Sequence, residues 1–266
     1  MFSDLPADVQ HAIDAARGRL GAFADLRYAE TIGSTNDTVM QLAAAGAPEG
    51  AAVVADEQTA GRGRRGSTWS SPAGAGLYLS VLLRGEALTR APGLSTLGAG
   101  AAIARAIARA TGLRVSLKWP NDLVIGAEWR KLGGILCEAD GTDALVVGVG
   151  INVTPAAHPR DVAARAASIE GELGRAVDRA VLVVECLDQL RLLAERLRSG
   201  QGDAVLEEWR ALAADAWQGA IVRWQDGDCE VRGVARDVDG DGALVVDRDG
   251  RRERVIAGAV VWDRRL

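Results

Sequence analysis

Hydrophobic positions change their spacing several times along the chain, and each change marks an element. Residues 4–20 set Leu5, Val9, Ile13, Ala16 and Leu20 on one helical face, with Pro6 in the first turn. A strand follows at 26–32 (LRYAETI), then GSTND, where Ser34 or Thr35 can cap a helix running to about Gly46. Residues 50–55 (GAAVVA) read as a buried strand, 77–84 (LYLSVLLR) as another, and an alanine-rich helix covers about 94–110. Short strands, several joined as hairpins, fall near 114–118, 122–126, 132–138 and 144–149. Asp178 caps a long helix to about Arg198, and a second helix covers about 203–214. After Gly219 the texture turns to short alternating strands split by Asp-Gly turns, the pattern of a small β-barrel. Three parts are predicted: a helical segment over 1–24, an α/β or α+β domain of catalytic size over 25–216, and a barrel over 219–266.

Composition narrows the class. With 266 residues, 48% hydrophobic and 25% charged, the chain can bury a substantial core. A net charge of −5 argues against a protein built to coat nucleic acid. Cys137, Cys186 and Cys229 are far apart and odd in number, as in a reducing compartment. His11 and His158 have no partner at metal-ligand spacing, so no structural zinc is expected. The start lacks a signal-peptide pattern and no apolar run spans a bilayer, which predicts a cytoplasmic protein with no membrane partner. About 24 residues precede the first strand, too few for a helix-turn-helix, so no DNA partner is expected.

One loop stands out. Residues 61–66 (GRGRRG) pack three arginines and three glycines, followed by Ser67, Thr68 and Trp69. The spacing approaches a P-loop, but Ser67 occupies the position that needs lysine. Gly98-Ala-Gly100 opens a helix without a third glycine and reads as helix packing. Gly148-Val-Gly150 ends a strand with no helix directly behind it. What remains is a loop whose glycines let backbone N–H groups approach a ligand and whose arginines suit phosphate. Trp69 offers a flat face for a base or for packing. From this stretch alone, a solvated basic loop stands as the alternative.

The lysines shift that balance. Of 31 basic residues only Lys118 and Lys131 are lysine. A lysine that persists against such a bias marks a site needing a compact ammonium rather than a planar fork. Lys118 begins KWPND, a strand end and a polar turn. Lys131 begins KLGG, where Gly133 and Gly134 leave room for a ligand.

Together, GSTN (33–36), EQTAGRGRRGSTW (57–69), LYLSVLL (77–83), KWPNDL (118–123), RKLGGILCE (130–138) and GVGINV (148–153) resemble the biotin protein ligases. The resemblance covers about residues 26–155. It implies an α+β fold: a mixed sheet with packed helices, like the class II aminoacyl-tRNA synthetases, plus a small C-terminal SH3-like barrel. It implies activation of biotin by ATP as biotinyl-5′-AMP, then transfer to one lysine of a biotin carboxyl carrier protein domain. By the same resemblance Ser34, Thr35, Asn36 and Gln58 would hold biotin's ureido end, with Gly61, Arg62, Gly63, Arg64, Lys131 and Gly134 completing its pocket. Arg62, Arg64, Arg65, Trp69, Lys118, Asn121, Asp122, Lys131 and Asn152 would serve ATP, with Trp69 near adenine. Lys131, Arg62, Arg64, Lys118 and Asp122 would carry the chemistry, Asp122 positioning Mg²⁺ directly or through water. The basic loop would order over the ligand.

Plainer roles stand beside these. Ser34 or Thr35 can act as a helix cap alone, Asp122 can simply close a turn, and Trp119, Trp129 and Cys137 read as packing. A lipoate- or octanoate-transferring relative and a non-catalytic biotinyl-AMP-responsive regulator are the alternative functions. A homodimer is left open.

Overall fold

The computed structural model describes residues 2–157, 160–215, 217–227, 229–256 and 260–263; His158 and the boundary residue Ala216 lie outside them. In order, the elements are α1 (Ala7–Leu20), β1 (Leu26–Ile32), α2 (Thr35–Ala44), β2 (Ala52–Gln58), β3 (Gly76–Arg84), α3 (Glu86–Thr89) and α4 (Pro92–Thr111). Next come β4 (Ser116–Lys118), β5 (Asp122–Ile125), β6 (Arg130–Ala139), β7 (Ala144–Asn152), α5 (Ile169–Leu173), α6 (Arg179–Arg198) and α7 (Gly202–Leu212). The chain closes with β8 (Ile221–Asp226), β9 (Cys229–Val238), β10 (Leu244–Arg248), β11 (Arg251–Val255) and β12 (Val261–Asp263).

Seven strands form a mixed sheet in the order β1-β2-β3-β7-β6-β5-β4, with β1 and β2 parallel and the other pairs antiparallel. Alternation divides its residues between two faces. Leu79, Val81, Leu83, Val147, Val149 and Ile135 share one buried cluster with α1, α4 and α6. The opposite face carries a smaller cluster, in which Val53, Leu82 and Val146 meet Val39 and Ala43 of α2. Beyond α2 that face bears Ser80, Gly134, Gly148 and Gly150, and the functional site lies there. β8–β12 form a second, antiparallel sheet in the order β11-β10-β9-β8-β12.

Several expectations shift. Pro6 is the N-cap of α1 rather than part of its first turn. Gly98 and Gly100 lie in mid-α4, where a Cβ on Gly98 would come within 2.7 Å of Leu193, so close helix packing explains that glycine. β7 runs on through Gly148 and Gly150 to Asn152, because those glycines face the site rather than end the strand. β2 extends to Gln58 and carries that amide to the site. Trp119 and Trp129 are buried, as expected of packing residues, whereas Cys137 is only half-buried.

Candidate active site

Two adjoining cavities share Thr68, Trp69 and Lys131. The inner one, about 160 Å³, lies against α2 and the glycines of β6 and β7. Its far end is polar and tightly bonded. Ser34 caps α2, its side chain accepting from the Asp37 N–H. Thr35 donates its backbone N–H (2.9 Å) and its hydroxyl (3.1 Å) to Gln58 Oε1, while Gln58 Nε2 donates to Ser71 Oγ (2.9 Å). Asn36 donates through Nδ2 to the Leu136 carbonyl (3.2 Å) and Glu138 Oε2 (2.8 Å). Buried Ser80 lies 2.6 Å from Asn36 Oδ1 and 2.8 Å from Thr35 Oγ1, which ties the two side chains together. Such saturation fixes the amide of Asn36 in one orientation.

The arginine loop lies over this cavity. Gly61 accepts the Trp69 N–H through its carbonyl (2.9 Å), and a Cβ there would come within 2.5 Å of the Trp69 carbonyl oxygen. Arg62 is held by both oxygens of Glu138 (2.8 and 2.8 Å) and by Asp37 (2.5 Å). Those bonds raise the Arg62 guanidinium above its ordinary value. Burial pushes the Glu138 carboxyl up, yet its bonds from Arg62 and Asn36 outweigh burial and hold it below the usual range. Gly63 and Arg64 also line the inner cavity. The Arg64 side chain makes no hydrogen bond or ion pair among the described residues, and burial lowers its guanidinium against the opposing pull of Asp122. Arg65, with φ +57°, is exposed and lines neither of these two cavities.

The outer cavity, about 750 Å³, is walled by Trp69, Lys118, Asp122, Trp129, Lys131 and Asn152, and by Trp262 of the second sheet. Asp122 bridges the two lysines: its carboxylate lies 2.5 Å from Lys131 Nζ and 3.8 Å from Lys118 Nζ. Asn121, whose amide donates to the Ile135 carbonyl (2.7 Å), lines the inner cavity. Asn152 donates to the Ala167 carbonyl (3.0 Å) at the edge of the outer one. The Trp69 ring lies beside Gly150, where a Cβ would come within 2.7 Å of the indole, and Lys131 Nζ sits 5.4 Å from the ring centre.

Lys131 and Gly134 are an odd number apart and would face opposite ways on a regular strand. A register shift pairs Leu123 with Gly133 but Val124 with Lys131, so Leu132 is an inserted residue. The insertion turns Lys131 onto the side of Gly134, and both line the inner cavity.

Sequence reasoning missed Ser80, Asp37, Glu138 and the site-facing role of Gly148 and Gly150. Alternation offered a signal for some of these, since Gly134, Leu136 and Glu138 share a parity. No residue set can hold a metal ion through three or more His, Cys, Asp or Glu side chains among the described residues. Asp122 by itself does not form a resident metal site.

The sequence profile of the biotin/lipoate A/B protein ligase family matches residues 28–152, and that of the biotin protein ligase C-terminal domain matches 219–261. The bifunctional ligase/repressor BirA of Bacillus subtilis is 38% identical over 169 residues, which are 61% of this chain and 51% of that protein; the chain thus spans about half that relative's length. The biotin–[acetyl-CoA-carboxylase] ligase of Mycobacterium tuberculosis is 35% identical over 271 residues, covering 96% of each chain. A biotin protein ligase from Aquifex aeolicus, solved in complex with biotin and ATP, superposes with a TM-score of 0.77 at 26% identity, over 91% of this chain and 99% of that one. With both ligase segments in order and a relative matched from end to end, this chain belongs to the biotin protein ligase family.

Proposed function

We propose that the protein is an ATP-dependent biotin protein ligase that forms biotinyl-5′-AMP and passes biotin to a lysine of a biotin carboxyl carrier protein domain. The observation that carries this reading is the position of Lys131, shared by a small polar pocket and a larger cavity. The inner pocket suits the ureido ring, held by Ser34, Thr35, Asn36 and Gln58. The outer cavity takes MgATP, with Lys118, Asn152 and Trp69 on its walls. Mg²⁺ would arrive with the nucleotide as part of the substrate, and Asp122 would help to hold it.

In the first step a biotin carboxylate oxygen attacks the α-phosphorus and pyrophosphate leaves. Two anions must meet, so the site supplies positive charge and positioning rather than a nucleophile. The Lys131 ammonium stands between them and serves oxygens that are not coplanar. Arg64, a half-buried cation with no acceptor among the described residues, neutralises the phosphate. Arg62 stays on Glu138 and Asp37 and keeps the loop down, excluding water from the acyl-adenylate. In the second step the neutral amine of the acceptor lysine attacks the acyl carbon, AMP leaves with its electron pair, and the amine's proton goes to solvent. An amide forms.

A lipoate- or octanoate-transferring enzyme would need an apolar tunnel where this pocket presents hydroxyls and amides. A purely regulatory protein would have no need of Lys131 at the junction of the two cavities with Arg64 beside it on the inner one. Operator binding is not part of this reading, because α1 packs on α6 rather than presenting a recognition helix. A promoter-shift assay with a biotin-operon fragment checks that point.

The deciding experiment is exchange of labelled pyrophosphate into ATP with biotin, lipoate or octanoate as the acid. Biotin-dependent exchange is expected. Lys131→Arg should lower it about 100-fold or more, since the planar fork cannot reproduce the ammonium's contacts. Exchange with lipoate or octanoate alone would refute the reading, and near-normal exchange by Lys131→Arg would refute the role of that lysine.

A further inference from the structure

The hairpin β4–β5 carries Lys118 and Asp122 opposite each other in register, yet β4 is the outermost strand of its sheet. Its free edge needs support from elsewhere. On that edge the Leu117 carbonyl accepts the Ala214 N–H (2.8 Å), just beyond α7. At the turn, Trp119 is 2% exposed, and its indole N–H donates to the Gly242 carbonyl (3.0 Å) in the connection between β9 and β10.

That connection is built as a rigid strut. Asp239 accepts the N–H groups of Asp241 and Ala243 through one oxygen (3.0 and 3.0 Å), and Arg254 bonds Asp239 and reaches Asp241 at 2.6 Å. Arg210 of α7 fixes the end of β9 through Asp237 (2.8 Å) and the Val238 carbonyl (2.7 Å). The strut rests directly on the start of α4. A Cβ on Gly93 would sit 2.4 Å from the Asp241 carbonyl oxygen, and one on Gly242, at φ +84°, 2.4 Å from the Gly93 carbonyl carbon. Neither position admits a side chain without parting the two domains.

We infer that the C-terminal β-domain acts as a brace that sets the Lys118–Asp122 hairpin against the nucleotide, with Trp119 as the positioning residue that transmits the contact. This rests on the ligase reading above for its nucleotide. The strut bears on Gly93 of α4 and on Trp119 at the hairpin turn, so its loosening should act on ATP and leave biotin alone.

Two variants test it. Trp119→Phe keeps an aromatic ring, though a smaller one, and removes the N–H that Gly242 accepts. Gly93→Ala is compatible with the α4 backbone, touches no site residue, and pushes the strut away through a single methyl. Each should raise the ATP KM about five- to tenfold, the effect of one buried hydrogen bond, while the biotin KM and equilibrium biotin binding stay at the wild-type value. Deuterium uptake of peptides covering 116–125 should rise in both, which reads the brace without relying on turnover.

Unchanged ATP KM together with unchanged uptake at 116–125 would overturn the brace. So would equal rises in the ATP and biotin KM, the mark of general loosening. If Trp119→Phe fails to fold, Gly93→Ala decides alone. Absence of biotin-dependent exchange in the wild-type protein would sink the ligase reading, and the uptake at 116–125 in Gly93→Ala would still decide the brace.

Discussion

Glu138 holds Arg62 with two hydrogen bonds and Asn36 with a third, so one carboxylate joins the loop over the pocket to the amide at its floor. Glu138→Gln keeps the shape and removes the charge. The pair is partly exposed, so the expected stability loss is modest, about 1 kcal/mol. The sharper effect is on the loop, and trypsin should nick the variant at Arg62, Arg64 or Arg65 several-fold faster than wild type. The pH dependence follows from the sign of the shift. A carboxyl held below its ordinary range contributes stability at neutral pH, and that contribution is lost as pH falls through the folded-state value. Amide exchange at residues 60–68, corrected for intrinsic rates, should therefore stay flat from neutral pH down to the ordinary carboxylate range in the wild type and rise only below it. In Glu138→Gln it should already be raised at pH 7. A variant loop indistinguishable from wild type in both measurements would show that Arg62 is held by other contacts. Cys137 illustrates the opposite limit: burial pushes its thiol up to about 11, so no thiolate chemistry is expected there at neutral pH.

At the scale of elements, β7 works as two strands in one. Its odd positions Val147, Val149 and Ile151 fill the core under the helices, and its even positions Gly148 and Gly150 make room for the site. A Cβ on Gly148 would come within 2.1 Å of Asn36 Oδ1, so Gly148→Ala must expel that side chain and break its bonds to Ser80, Leu136 and Glu138. The biotin KM should rise tenfold or more with the ATP KM nearly unchanged, at a stability cost of about 1–3 kcal/mol. Val147→Ala on the other face should cost stability and leave both KM values alone. Equal behaviour of the two variants would contradict the division of faces. The strand and the lone lysines were legible beforehand; the alternation in VVGVGIN carries the division of faces in the local order of residues, but in sequence alone Gly148 and Gly150 read as the strand's end. Two features were not legible. The inserted Leu132 leaves no local mark, since KLGG is compatible with a regular strand. Glu138 meets Arg62 across 76 positions, and only the assembled sheet brings them together.

Across the whole molecule the two sheets share one core. Val222, Ala235, Leu244 and Val246 of the second sheet belong to the same buried cluster as Leu97, Leu117 and Trp119. Trp129 meets Trp262 edge-to-face at 5.7 Å, and Trp209 meets Trp217 the same way at 5.4 Å just ahead of β8. A joint between independent domains is usually polar and loosely packed, which permits separate unfolding. Here the joint carries a shared apolar cluster and backbone-to-backbone contact at Gly93 and Gly242, so loss of either part uncovers apolar surface on the other. The change of sequence texture after Gly219 marks a second sheet, but texture carries no record of how tightly two sheets adhere. Calorimetric unfolding should therefore show one transition, with calorimetric and van't Hoff enthalpies in a ratio near one. Gly93→Ala should lower that transition and broaden it toward two. Two resolved transitions in the wild-type protein would mean that the C-terminal sheet melts on its own, and that its aromatic contacts carry no cooperativity between the parts.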